Sequence, residues 1–75
     1  MENNIKVEIL LKDVREQKEI SLEQLATMTE ISESKLKSIE NNKKEPTLFE
    51  LVQIAEALDV ELEKLYKVII LWYIF

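Results

Sequence analysis

The chain contains no cysteine, no histidine and no glycine. Without cysteine and histidine it cannot form disulfide bonds, and zinc sites and thiol or imidazole catalysis are excluded. Without glycine it has no glycine-rich loop of the kind that holds phosphate in Walker or Rossmann sites. We therefore expect no cofactor, no metal and no enzymatic activity, because the sequence indicates no convergent catalytic site.

Glycine is also the residue that most easily adopts positive φ, and the chain has only one proline. Its turns must therefore be built from Asn, Asp, Ser and that proline. This composition favours helices joined by short connections. With 75 residues, of which 47% are hydrophobic, the chain is long enough for one domain stabilised by packing alone. We place this domain at residues 1–67, followed by an apolar tail at 68–75.

The net charge of −5 is unfavourable for binding nucleic acid, but the charge is unevenly distributed. Residues 1–31 and 47–75 are acidic, whereas residues 32–46 carry four basic and three acidic side chains. The four lysines of this middle segment are closely spaced, and composition alone is consistent with an ordinary solvated helix face. They are Lys35, Lys37, Lys43 and Lys44.

Hydrophobic spacing and capping residues predict an all-α domain of five helices. Ser21, Ser32 and Thr47 have the character of N-caps, and the first and last begin capping boxes with Gln24 and Glu50. The expected helices cover about residues 4–18, 22–28, 33–41, the segment from Thr47 to Leu58, and 60–66. The expected inward positions include Leu25, Met28, Leu36, Ile39, Leu48, Leu51, Ile54 and Leu58.

The C-terminal tail is uncharged, and every residue in it except Leu71 is β-branched or aromatic. Such a segment must be covered, because an exposed one would aggregate. We expect it to form a strand or a helical extension at a dimer interface, and its composition slightly favours a strand. At eight residues it is too short to span a membrane, so only a longer chain could make it the start of an anchor. The tail comprises Val68, Ile69, Ile70, Leu71, Trp72, Tyr73, Ile74 and Phe75.

The stretch Leu11–Leu65 resembles the Cro/repressor-type, or XRE-like, helix-turn-helix family, whose domains have the lambda-repressor fold. The matching residues begin with Ser21-Leu22-Glu23-Gln24-Leu25-Ala26 and Ile31-Ser32. They continue through Leu36, Ile39-Glu40-Asn41, Lys43-Lys44, Pro46-Thr47-Leu48, Leu51, Ile54-Ala55, Ala57-Leu58 and Leu62. The resemblance implies that the third helix enters the major groove of double-stranded DNA.

Carried over residue by residue, the resemblance assigns base or phosphate contacts to one side of the third helix and to the loop after it. Lysine pairs well with guanine acceptors, and lysines in the loop suit backbone phosphates. Arg15 and Glu40 match a pair that forms a structural salt bridge in the family. The expected DNA-binding residues are Glu33, Ser34, Lys35, Lys37, Ser38, Asn41, Lys43 and Lys44.

The chain departs from the family pattern at four positions. Leu22 replaces a DNA-contacting Gln, and Glu33 stands where a basic or polar residue is common. Glu30 and Asn42 stand where glycine is usual; Asn tolerates positive φ, whereas Glu30 should introduce strain or shift the turn. These departures bear on DNA binding more than on the fold.

Two functions remain open. The first is a cytoplasmic DNA-binding transcriptional regulator, a repressor that acts as a homodimer on two half-sites one helical turn apart. The second is a protein-interaction module, antirepressor-like or antitoxin-like, that keeps the fold with weak DNA binding. A basic stripe built by Lys35, Lys37, Lys43 and Lys44 on one face would favour the first, and acidic side chains interleaved over that same face would favour the second.

Overall fold

The computed structural model describes residues 4–70, which form a helical core closed by a small two-stranded sheet. The helix-turn-helix fold expected from the sequence is present, but the domain is neither all-α nor built from five helices. In chain order the elements are β1 (Ile5–Ile9), α1 (Leu11–Gln17), α2 (Leu22–Thr29), α3 (Glu33–Glu40), α4 (Leu48–Leu58), a 3-10 helix (Leu62–Lys64) and β2 (Tyr66–Ile70).

Side chains cap three of the helices as the sequence predicts. Ser21 and Thr47 form complete capping boxes with Gln24 and Glu50, and the hydroxyl of Ser32 accepts a hydrogen bond from the Lys35 N–H at 3.0 Å. Each cap satisfies backbone N–H groups that have no partner inside the helix. The helix starts predicted from these residues are confirmed.

The prediction of a first helix over 4–18 is wrong in its first half. Ile5, Val7 and Ile9 alternate with polar residues, and this segment is a strand that pairs antiparallel with β2. Since the two strands lie at opposite ends of the described chain, the strand depends on a partner about 60 residues away, which a local helical spacing cannot reveal. The helix begins only at Leu11.

The predicted fifth helix over 60–66 is reduced to one 3-10 turn, Leu62–Lys64, after which the chain becomes β2. In the tail, Val68, Ile69 and Ile70 therefore lie in a strand, and the mate of that strand is β1 of the same chain. The strand also crosses position 67, where we placed the domain boundary. The remaining tail residues lie outside the described part: Leu71, Trp72, Tyr73, Ile74 and Phe75.

The core lies where α1 to α4 and the end of the 3-10 helix converge. Leu25, Leu36, Ile39 and Ile54 are fully buried, as expected, but Met28 and Leu48 are exposed, contrary to the predicted inward positions. Within residues 4–70, no helix is long and apolar enough to cross a membrane. The same residues contain no cluster of acidic side chains that could hold a metal ion.

Candidate nucleic-acid interface

The turn between α2 and α3 is built without glycine. Glu30 ends α2 in the left-handed conformation, at φ 62° and ψ 18°, and its N–H donates to the Ala26 carbonyl at 3.0 Å. Thr29, which is buried, donates its hydroxyl to the Leu25 carbonyl at 2.8 Å and accepts from the Ile31 N–H at 3.2 Å. Thr29 thus fixes the turn, a role that no pattern in the sequence indicated.

A salt bridge between α1 and α3 holds the third helix from its other end. Arg15 donates from Nε to Glu40 Oε2 at 2.6 Å and from Nη2 to Oε1 at 3.2 Å, and its Nη1 donates to the Ile20 carbonyl at 2.8 Å. Hydrogen bonding to Glu40 raises the pKa of Arg15, although its burial opposes this. The residues expected to form the family's salt bridge are therefore paired in this way, and both belong to the framework rather than to the outer face.

Helix α3 has one buried side and one exposed side. Leu36 and Ile39 are fully buried, whereas Ser34, Lys37 and Asn41 are exposed. Positions three and four residues apart lie on the same side of a helix, so these three polar residues form one continuous solvent-facing row. Among the other predicted contacts on this helix, Glu33 is exposed and Ser38 is half-buried.

The loop after α3 folds back onto the helix end. The N–H groups of Lys43 and Lys44 donate to the Ser38 carbonyl, at 2.8 and 3.3 Å, and Asn42 takes a positive φ of 59°. As expected, Asn occupies the left-handed position without glycine. These bonds tie the backbone of both exposed lysines to the C-terminal end of α3.

Lys35 differs from the other three lysines, because within residues 4–70 it is the one whose ammonium forms an ion pair. Its Nζ forms a salt bridge with Oε2 of Glu50, in the first turn of α4. This hydrogen bond lowers the pKa of Glu50 below its ordinary value, and the Thr47 backbone N–H lowers it further. The sequence pattern predicted a capping box for Glu50, and nothing in the spacing indicated this second role.

The charge of the candidate interface is mixed but weakly basic. The carboxylates of Glu40 and Glu50 are neutralised by Arg15 and Lys35. The remaining charged residues of segment 32–46 are all exposed, three of them basic and two acidic. These are Lys37, Lys43, Lys44, Glu33 and Glu45.

The helix-turn-helix family model matches residues 11–65 of the chain. The chain belongs to this family. Among solved structures, the restriction-modification controller protein C.AhdI from Aeromonas hydrophila is similar, with 28% sequence identity and a TM-score of 0.70. The match covers 72% of this chain and 82% of that one. A search of curated proteins finds no match.

Proposed function

We propose that this protein is a sequence-specific DNA-binding transcriptional regulator that inserts α3 into the major groove and represses by occupying its operator. The observation that carries the proposal is the exposed polar row of α3, held from behind by two buried apolar residues and flanked by lysines. Family membership and the similarity to a controller protein support a regulatory role. In such a protein, working in the cytoplasm, Ser34 and Lys37 meet base edges, and Asn41 with the half-buried Ser38 meets bases or phosphate.

The backbone contacts come from Lys43 and Lys44. Their attachment to the Ser38 carbonyl fixes them beside the groove-binding helix, where a phosphate strand would pass. Each lysine that neutralises a phosphate releases counterions, and this makes affinity steeply dependent on salt. Such contacts explain how an acidic protein could bind DNA through one local surface. Glu33 fits this surface if it accepts from a cytosine amino group.

The test is a fluorescence-anisotropy titration against duplexes selected from a random library, repeated at several salt concentrations. Lys35→Ala with Lys37→Ala should abolish sequence-specific binding and leave the helical circular-dichroism signal intact. The matched control is Lys12→Ala with Lys18→Ala, which removes the same charge from exposed positions on and just after α1. If both double variants bind equally well, α3 is not the reading helix.

Lys43→Ala with Lys44→Ala should weaken binding to all duplexes alike. It should also reduce the slope of log affinity against log salt by about two. A changed base preference with an unchanged slope would assign these lysines to base reading instead.

We also propose that the protein acts as a homodimer through the sheet and tail. Opposed residues of the two strands share a face, and one face carries Ile5, Val7 and Ile9 opposite Ile70, Val68 and Tyr66. Val7 is 56% exposed and Val68 is 49% exposed. An apolar sheet face of this kind must be shielded from water, and a second copy of the chain related by a two-fold axis would shield it. The second copy would also bring the second reading helix that an operator with two half-sites requires.

Sedimentation velocity tests the interface. Val7→Lys with Val68→Lys, or deletion of residues 71–75, should convert dimers to monomers. Lys6→Gln with Lys67→Gln is the control, because both residues lie on the opposite face of the sheet. Dimers that persist at low micromolar concentration in the first variants would refute the sheet-and-tail interface.

One observation favours the second candidate, a protein-interaction module. Helix α4 exposes three apolar side chains near its start, Leu48, Phe49 and Val52. These could bind a partner protein while Glu33 and Glu45 weaken contact with DNA. Two results together would favour this interaction module over the regulator. The protein would bind no duplex, and Phe49→Lys would prevent association with a partner protein that the wild-type protein captures.

A further inference from the structure

The salt bridge between Lys35 and Glu50 joins the groove-facing helix α3 to the first turn of α4. The Glu50 carboxylate is itself held in place, because its Oε1 accepts a hydrogen bond from the Thr47 N–H at 2.9 Å while its Oε2 forms the salt bridge with Lys35 Nζ. The carboxylate thus holds the lysine side chain against the capped first turn of α4. The two partners are unequally covered, since the side chain of Glu50 is 13% exposed and that of Lys35 is 32% exposed.

A lysine on a surface normally samples many rotamers, and ordering it on a ligand costs conformational entropy. An ammonium that is already anchored loses less freedom when it binds. It has three N–H donors, so a salt bridge to one carboxylate oxygen leaves two for another acceptor. Lys35 therefore combines an ordered position with remaining donors and remaining exposure.

We propose that Glu50 is a positioning residue for base recognition. It holds the Lys35 ammonium so that its free N–H donors reach the O6 and N7 acceptors of a guanine in the major groove. The inference rests on the proposed DNA binding and extends the base-reading machinery to a residue of α4. The opposite arrangement, in which Glu50 withholds Lys35 from DNA, has a different experimental signature.

The test compares Glu50→Gln with the wild-type protein on two duplexes, the library-selected site and the same site with its guanines replaced. Glutamine keeps an amide oxygen that can accept the Thr47 N–H, so the cap of α4 is preserved while the ion pair is removed. Glu45→Gln is the matched control, because it removes the same charge from an exposed side chain in the preceding loop. Lys35→Gln removes the reading group itself.

We expect Glu50→Gln to reduce the ratio of the two affinities about tenfold, with Glu45→Gln leaving the ratio unchanged. Lys35→Gln should reduce the affinity ratio at least as much. The double variant should have no lower a ratio than Lys35→Gln alone, because both changes disrupt the same Lys35–Glu50 pair. Thermal unfolding followed by circular dichroism checks that each variant is folded. If Glu50→Gln does not fold, Glu50→Asp takes its place. The proposal would then be overturned if the losses from Lys35→Gln and Glu50→Asp simply add in their double variant.

Two further results would overturn it while leaving the DNA-binding function intact. An unchanged affinity ratio in Glu50→Gln would show that Lys35 needs no positioning. Tighter binding of Glu50→Gln to both duplexes, with the ratio unchanged, would show that Glu50 withholds the lysine. Failure of the wild-type protein to bind any duplex would instead refute the proposed function, and the inference with it.

Discussion

Glu30→Gly should stabilise the protein, because Glu30 occupies a backbone conformation that suits glycine. The left-handed region costs a residue with a Cβ atom about 1–2 kcal/mol. Replacing Glu30 by glycine removes this cost, but it also lowers the free energy of unfolding by about 0.5–1 kcal/mol, because glycine gives the unfolded chain more conformational freedom. The net gain in unfolding free energy is about 0.5–1 kcal/mol, and the Ala26 hydrogen bond is retained because it uses only the backbone.

For a domain of this size, that gain corresponds to a rise in Tm of about 2–8 °C. Thermal unfolding should be followed at one fixed protein concentration, because Tm depends on concentration if the protein dimerises as proposed. Three controls separate the contributions. Glu30→Ala keeps the Cβ atom, Glu30→Gln removes only the charge from the negative end of α2, and Glu56→Gly places glycine inside α4.

We expect Glu30→Ala to give no comparable gain and Glu30→Gln to give a few tenths of a kcal/mol. Glu56→Gly should lose about 1 kcal/mol, because glycine is unfavourable inside a helix. The reasoning is refuted if Glu30→Gly is no more stable than Glu30→Ala. That result would mean that the turn tolerates a Cβ atom without strain.

Arg15→Met should destabilise the fold by about 2–4 kcal/mol, because it leaves the Glu40 carboxylate, only 5% exposed, without its bidentate partner. In urea unfolding, the double variant Arg15→Met with Glu40→Leu should recover part of this loss. If it recovers none, the salt bridge does not have the stabilising role assigned to it. The lowered pKa of Glu50 means that its contribution to stability is fully present above the ordinary carboxyl pKa of about 4.3 and is lost as the pH falls through the lower, folded-state value. The difference in unfolding free energy between the wild-type protein and Glu50→Gln should therefore be larger at pH 7 than at pH 3, with Glu45→Gln as the charge control; a difference that does not change with pH would exclude this linkage.

Local signals in the sequence predicted the middle of the fold. Ser21, Ser32 and Thr47 each act on backbone groups within three residues, so their caps need no information from elsewhere in the chain. The left-handed conformation at Asn42 was likewise readable, since Asn tolerates positive φ. The family resemblance, carried by the same region, is confirmed by the match over residues 11–65.

Other features depended on contacts between distant residues. The first segment fits both a helical and an alternating pattern, and pairing of Ile5–Ile9 with Tyr66–Ile70 decided for the strand. Leu48 was expected to be buried because its spacing matches that of Leu51 and Ile54, but α4 also carries other apolar residues and Leu48 is exposed while Leu51 and Ile54 are buried. A helix pattern cannot show which of two apolar sides will meet a neighbour.

The sequence by itself determined where α2, α3 and α4 begin, because capping is a local interaction, and it determined the family and the lysine-bearing segment. Only the tertiary structure decided that the terminal segments form a sheet and that Lys35 is held by Glu50. Strand pairing and the ion pair between Lys35 and Glu50 depend on distance in space, and a single sequence does not encode that distance in any local spacing. The lysines could be found by counting charges, but their unequal roles emerge only when the acidic partner of Lys35 is known.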